Sequence, residues 1–371
     1  MATRVLTITD PVLQEKEVQE AAKALAGGDL IVFPTETVYG VGASAVNAEA
    51  IAQLSQLKSR SPDKPFTLHL ADPSEAERYA GPLPLVAQRL IRKAWPGPLT
   101  IVAPDARPTR AGPAGLVEEA IYYQGTVGLR CPRGAVVQAI LSAAGVPVAG
   151  SSANLGGRPA PRNAREALAS LEGKVALVVD AGPTMYAVAS TVVRVGADGS
   201  WEVLREGVIP LRRLKRLVRT RILFVCSGNL CRSPMAAGLA ARLLANRMGC
   251  DPAALPEHGV EVESAGTMAM PGYEASPNAV EVMRERGIDL TAHRSRSISV
   301  DALLTSDYIG VMTRGHRDSV LRLAPEVASR VALVDPEGKD IPDPIGGDVE
   351  EYRTCARHLE KALAQRLTEI V

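Results

Sequence analysis

The stretch Ile222-Leu-Phe-Val-Cys226-Ser-Gly-Asn-Leu-Cys231-Arg232-Ser233-Pro234 decides how the chain is read. Four apolar residues make a short strand, small and polar residues make a loop, and the breaker-poor run 235–247 makes a helix. A cysteine at the strand end therefore faces a loop of backbone N–H groups that leads into a helix N-terminus. Such a nest holds a tetrahedral dianion, and the helix dipole favours negative charge there. The same field favours a thiolate over a thiol, which makes Cys226 a candidate nucleophile. Arg232 offers two phosphate oxygens a fork that lysine cannot reproduce. Gly228 is expected to take a positive φ in the tight loop. Asn229 is expected to hold the loop's shape, and Ser233 to donate to the thiolate and ease its departure. A cysteine that attacks phosphorus needs a general acid for the leaving oxygen. Asp343 is the candidate, in Ile341-Pro-Asp-Pro-Ile-Gly-Gly347, where two prolines stiffen the loop and two glycines let it turn. This chemistry calls for no metal or cofactor.

Working outward, further strands are expected at 260–264, 308–312 and 331–333, with helices at 278–286 and 349–371. Strand–helix alternation at this spacing predicts a doubly wound, mostly parallel sheet. Upstream, a basic run holds Arg212, Arg213, Lys215, Arg216, Arg219 and Arg221, with Leu211, Leu214 and Leu217 at helical spacing. It reads as a short amphipathic helix with a solvated face, the alternative being a tRNA or inter-domain contact. Before it, strands are expected at 30–34, 99–103, 126–130, 146–149, 175–179 and 191–195. Helices are expected at 14–26, 48–57, 83–94, 135–144 and 163–171. The class is α/β throughout, with two domains, 1–218 and 219–371.

Composition excludes other classes. The 371 residues are 46% hydrophobic and 22% charged, which rules out a disordered chain or a coiled coil. A net charge of +1 leaves no global basic field, so any RNA contact has to be a local patch. No run approaches the roughly 18 apolar residues of a membrane span, and the N-terminus turns charged before a signal-peptide core forms. Five cysteines, mostly far apart, make no disulfide framework. A cytoplasmic protein is expected.

The C-terminal half resembles the low-molecular-weight protein tyrosine phosphatases. The signature V-C-x-G-N-x-C-R-S stands at 225–233, Ser-Ala-Gly-Thr at 264–267, and Asp-Pro at 343–344. His293 matches a histidine that supports the phosphate loop. The resemblance implies a phosphocysteine on Cys226, with Asp343 acting as acid and then as base, on a phosphorylated protein. The family has tyrosine-directed and arginine-phosphate-directed members. Apolar Leu230 before the second cysteine points to an aryl phosphate. Ile345 stands where the family usually carries an aromatic ring, which points the other way.

In the N-terminal half, polar clusters interrupt an apolar background: 34–42 (PTETVYGVG), 57–69, 95–100 (WPGPLT), 126–130 (TVGLR) and 151–158. Taken singly, each reads as local structure. Together they resemble the YrdC-like threonylcarbamoyl-adenylate synthases, whose Lys-x-Arg … Ser-x-Asn tetrad is present as Lys58, Arg60, Ser152 and Asn154. The resemblance implies that L-threonine and bicarbonate give a carbamate that attacks ATP. Pyrophosphate leaves, and threonylcarbamoyl-AMP feeds tRNA modification through partner proteins. By motif position, Thr37, His69, Arg130 and Ser190 would hold threonine. Arg60, Lys64, Thr126, Ser152, Asn154 and Arg205 would hold ATP, which brings Mg²⁺ as its counterion. Lys58, Arg60 and Lys64 supply the preplaced cations that two developing anions need. The alternative is a phosphatase whose first half only binds RNA or a nucleotide.

Overall fold

The structure is a computed structural model that describes residues 2–61, 64–107 and 115–367. The chain divides into two compact units, Met1–Leu217 and Val218–Val371.

The first unit is built on an eleven-stranded mixed sheet. Its order is Arg4–Thr7, Leu177–Asp180, Ile31–Phe33, Gly40–Ser44, Val148–Ser152, Thr67–His69, Thr126–Arg130, Leu99–Pro104, Thr191–Val195 and Trp201–Arg205, with Tyr122–Tyr123 added to Thr126–Arg130. The six strands expected from sequence are present within two residues at each end, except Val148–Ser152, which is shifted towards Ser152. Five more strands carry no period-two signal. They run two to five residues, and Gly40–Ser44 is written GVGAS. Register puts alternate residues on one face. Ile31, Phe33 and Val148 there pack against helices Glu15–Gly27 and Ala135–Ala144. Further along the same face the residues become polar. The pairings Val148 with His69, His69 with Arg130, and Val102 with Gly128 place Ser152, His69, Arg130, Thr126 and Thr100 on it. One sheet face thus carries both a core and a polar cleft. The basic run is split: Arg212, Arg213, Lys215 and Arg216 lie in the helix Leu211–Leu217, with Leu214 buried, and Arg221 lies in the strand Thr220–Cys226, paired with Glu261 and Glu263.

The second unit has four strands in the order Val260–Gly266, Thr220–Cys226, Tyr308–Val311, Val331–Leu333. Every pairing is parallel, so "mostly parallel" is sharpened to wholly parallel. Along Thr220–Cys226, Ile222 and Phe224 enter one core with the helices Arg232–Met248 and Val349–Arg366. Leu223 and Val225 enter the other, beneath Val300–Thr305 and Arg314–Leu323. These last two helices were not expected from sequence. The chain steps from the first strand to neighbours on opposite sides, so the strand order reverses at Thr220–Cys226. In such sheets the ligand crevice opens at the carboxyl end of that strand, where Cys226 stands. The residues 368–371 of the expected terminal helix lie outside the described residues.

Candidate functional sites

In the second unit the strand ends on Cys226 and the 17-residue helix begins at Arg232. Cys226 Sγ lies 3.0 Å from Ser233 Oγ. Asn229 Nδ2 donates to that same Oγ at 2.9 Å, and the serine hydroxyl lies within reach of both the sulfur and the Ala265 carbonyl, at 3.3 Å from the latter. Asn229 is fully buried. Its Nδ2 also donates to Ser264 Oγ at 2.9 Å, its Oδ1 accepts from Arg296 N at 2.9 Å, and its carbonyl accepts from His293 Nε2 at 2.7 Å. These bonds hold a residue whose φ is 56°. The left-handed position is therefore Asn229 and not Gly228, as the sequence had suggested. Asparagine tolerates this conformation, and here four hydrogen bonds fix it. The loop rests on Gly266, where a Cβ would lie 2.3 Å from the Ser227 carbonyl. Burial and the neighbouring Arg294 and Arg296 hold the His293 imidazole below its ordinary pKa, so its Nε2–H donates as a neutral group.

Arg232 is buried, with Nη1 donating to the Ile341 carbonyl at 3.1 Å and Nη2 paired with Asp343 Oδ2. Its Nε is buried without a partner among the described residues. The Asp343 side chain is 38% exposed, so a substrate can reach it. Arg232 and Asp343 line a cleft of about 900 Å³ together with Ser227, Thr267, Met268 and His316 among others, and Cys226 is buried one residue before Ser227. No Phe, Tyr or Trp is among its described lining residues. Leu230 packs against the core, and Ile345 is exposed. Cys231 is a free thiol beside Ser276 Oγ and Tyr352 OH, each at 3.3 Å.

The first unit gathers its candidates into two groups. In one, Lys58 Nζ, at the end of helix Ala48–Lys58, donates to the carbonyls of Ser152 at 2.8 Å and Asn154 at 2.5 Å, and to Asn154 Oδ1 at 3.1 Å. Ser152 Oγ bonds the same Oδ1 at 2.5 Å. Arg60 stacks on Phe66 at 4.4 Å and bonds the carbonyls of Lys64 and Pro65. Burial, with Arg60 beside it, lowers the Lys58 ammonium to about 8. The tetrad is assembled, and Lys64 stands exposed next to it.

In the other, Arg130 is buried and Nη2 reaches Glu36 Oε1 at 3.0 Å and Thr37 Oγ1 at 2.8 Å. Its Nε is buried without a partner among the described residues. His69 is opposite Arg130 in register, edge-on to Phe33. Burial and the Arg130 charge hold its imidazole down to about 3, so it is neutral. A Cβ at Gly150 would lie 2.6 Å from this ring, which explains the glycine. Ser190 Oγ bonds Thr100 Oγ1 at 2.9 Å and accepts from Arg205 Nη2 at 3.1 Å. Arg205, expected with ATP, thus contacts Ser190, one of the threonine candidates. Thr126 spends its hydroxyl on the Tyr123 carbonyl at 2.8 Å, joining neither group by a hydrogen bond. Sequence reasoning missed Glu36, Thr100, Ser264, Arg296 and His316. Glu36, Thr100 and Ser264 lay inside quoted blocks, as the x of Pro-Thr-x-Thr, the end of Trp-Pro-Gly-Pro-Leu-Thr and the start of Ser-Ala-Gly-Thr. His316 carried no signal.

Residues 23–207 match the family model described as telomere recombination, Sua5/YciO/YrdC. Residues 221–371 match that for low molecular weight phosphotyrosine protein phosphatase. The chain is 36% identical over 219 residues to the threonylcarbamoyl-AMP synthase of Bacillus subtilis, covering 58% of this chain and 59% of that protein. It is 34% identical over 216 residues to a putative threonylcarbamoyl-AMP synthase of Mycobacterium tuberculosis, covering 58% of this chain and 95% of that one. It is 42% identical over 153 residues to the protein-arginine-phosphatase of Geobacillus stearothermophilus, covering 40% and 94%. The chain thus spans under two thirds of the Bacillus synthase it matches. The crystal structure of P. abyssi Sua5 complexed with L-threonine covers 98% of both chains at a TM-score of 0.53 and 20% identity, a likeness of fold.

Proposed function

We infer, from a chain that belongs to the threonylcarbamoyl-AMP synthase family through residues 23–207 and to the low-molecular-weight phosphotyrosine phosphatase family through residues 221–371, that it is a bifunctional enzyme. The first unit makes threonylcarbamoyl-AMP from L-threonine, bicarbonate and ATP for tRNA modification. The second hydrolyses phosphorylated protein side chains through a phosphocysteine.

For the synthase, the observation that carries the reading is the pair of cationic groups, Arg130 on the polar sheet face and Lys58 with Arg60 at the helix end bonded to the strand end at Ser152. Arg130, with Thr37, Ser190 and neutral His69, offers a carboxylate and a hydroxyl their partners. Lys58 and Arg60, beside Ser152 and Asn154, offer phosphates theirs. The carbamate oxygen attacks the α-phosphorus as the bond to pyrophosphate breaks, and fixed cations stabilise both anions. No group of three His, Cys, Asp or Glu that could hold a metal occurs among the described residues. The ATP phosphates and water are the donors that suit Mg²⁺, which enters with its substrate. The test is pyrophosphate release from ATP. Strict dependence on threonine and bicarbonate is expected. RNA binding without that dependence would favour the binding-module alternative.

For the phosphatase, the carrying observation is Cys226 beside Ser233 at the mouth of the helix, under Arg232 and Asp343. Sulfur attacks phosphorus while Asp343 protonates the leaving atom. Asp343 then takes a proton from the water that cleaves the P–S bond. Arg232 moves from its pairing with Asp343 onto the phosphoryl oxygens, which frees the acid. Phosphotyrosine is the first reading, on Leu230. Phosphoarginine is the second, favoured by the cleft without aromatic rings and by exposed Ile345. Phosphotyrosine and phosphoarginine peptides compared at equal concentration decide between them. Among the described residues no helix is long and apolar enough to cross a membrane.

A further inference from the structure

Among the described residues lining the phosphatase cleft, His316 is the one buried titratable side chain for which the reaction above has no use. It sits in the first turn of helix Arg314–Leu323, whose N-cap is Thr313. Its ring bridges two hydroxyls: Nδ1 lies 2.8 Å from Thr313 Oγ1 and Nε2 lies 2.9 Å from Ser227 Oγ. Thr313 Oγ1 already accepts the backbone N–H of His316 at 3.3 Å. We assign its proton to Nδ1, the arrangement in which Thr313 Oγ1 accepts from the backbone and donates to the ring. Nδ1 is then bare, and the proton of the neutral ring sits on Nε2. Burial and the nearby Arg232 charge keep this imidazole below its ordinary pKa, so the neutral ring is the form present near pH 7.

The consequence falls on Ser227. Its oxygen accepts from Nε2–H, so its own proton is not spent on the histidine. Ser227 lines the cleft together with Arg232 and Asp343. It directly follows the nucleophile, on the rim of the loop that would hold the phosphoryl group. We propose that Thr313 and His316 are positioning residues that turn the Ser227 hydroxyl into the cleft. There it is an additional hydrogen-bond donor to the phosphoryl group. This rests on the phosphatase reading and deepens it. The anion is held from one side by Arg232 and the loop, and from the other by a hydroxyl whose direction a second helix sets. A freely rotating serine would lose part of that bond to rotamer entropy and to competition from water. A clamped one does not.

The test uses the full chain and two readouts. Titration calorimetry with inorganic phosphate reads the donor even in a protein that turns nothing over. Hydrolysis of p-nitrophenyl phosphate reads KM and kcat separately. A hydrogen bond to a charged group predicts that Ser227→Ala weakens phosphate about ten-fold and raises KM far more than it lowers kcat. His316→Ala is expected to do most of the same, and His316→Gln, which keeps an N–H donor, to recover part of it. In the Ser227→Ala background, His316→Ala is expected to add nothing, because it acts through the serine. Unchanged phosphate affinity in Ser227→Ala overturns the proposal. So does a His316→Ala loss of equal size with and without Ser227, which marks the histidine as packing alone. Should His316→Ala fail to fold, Ser227→Ala decides. A wild type that binds phosphate but hydrolyses neither p-nitrophenyl phosphate nor a phosphoarginine peptide sinks the phosphatase reading and leaves the donor measurable.

Discussion

On the functions proposed above, the two units solve one physical problem, holding phosphate oxygens in a cleft, in opposite ways. The phosphatase loop runs eight residues from Cys226 to Ser233, between one strand and one helix. Nucleophile, loop and arginine are neighbours in sequence, and the helix N-terminus supplies the field. The synthase site draws His69, Arg130 and Ser152 from three strands brought together by register, and Thr37, Lys58 and Ser190 from the loops and helix end beside them. A local site depends on backbone conformation, at Asn229 above all. A distributed site depends on sheet pairing and on buried pairs such as Arg130 with Glu36. The first should fail in chemistry when altered, the second in stability.

The largest effect expected is at the local site. Cys226→Ser should lower aryl phosphate hydrolysis by roughly 10⁴-fold or more, since no other group in the cleft replaces the nucleophile. Its melting temperature should stay near that of wild type, and threonine-dependent pyrophosphate release should not change. A wild type as inert as the variant would make the second unit a scaffold. A loss of synthase activity in the variant would break the comparison, because it would couple the two sites.

The contrast also explains what the sequence could reveal. The phosphatase site was legible nearly residue by residue, because Cys226, Asn229, Arg232 and Ser233 lie within one loop. The misreading there was of φ. Glycine is the default for a left-handed residue, but the pairing of Asn229 with Ser233, Ser264, Arg296 and His293 overrides that default. His316 was invisible because it reaches the loop from a helix that begins some ninety residues later in sequence, a contact made by packing alone. In the synthase half, the blocks were legible as a family resemblance and the chemistry of each residue was not. Arg205 shows why. Its motif position suggested ATP, and the hairpin of Thr191–Val195 with Trp201–Arg205 adds a contact with Ser190 that the motif did not carry. Of the five unexpected strands, Arg4–Thr7, Tyr122–Tyr123 and Trp201–Arg205 lie at edges, Gly40–Ser44 carries two glycines, and Thr67–His69 is only three residues long in the sheet interior; their signal is hydrogen bonding, which side-chain periodicity does not record.

The next effect tests the distributed site through its buried pair. Glu36 and Arg130 side chains are 2% and 7% exposed, 3.0 Å apart. Glu36→Gln leaves the guanidinium buried with no countercharge, which typically costs about 3–5 kcal/mol. Chemical denaturation of the first unit should show the loss, while the phosphatase unit's transition stays in place. L-Threonine should restore part of it, since its carboxylate supplies the missing charge and ligand binding adds to stability. A variant as stable as wild type would mean that Arg130 is held by Thr37 and its surroundings, and the site would be less dependent on paired charges than the geometry implies.

The smallest effect distinguishes the two cations. Lys58 is lowered from 10.5 to about 8 by burial and by Arg60, whereas the phosphatase relies on Arg232, a guanidinium that stays charged. Below about pH 8, Lys58 is protonated both folded and unfolded. Between about 8 and 10.5 the unfolded chain holds the extra proton, so this residue's contribution to folding stability rises with pH across that window. ATP binding runs the other way. Its phosphates favour the ammonium, so affinity should fall as pH climbs past 8, and each ATP bound there should take up part of a proton. Calorimetry of ATP in two buffers of different ionisation enthalpy measures that uptake directly. Lys58→Arg should abolish it while keeping the charge. Proton uptake equal in wild type and variant would assign it to another group, and the lysine would then differ from Arg232 only in shape.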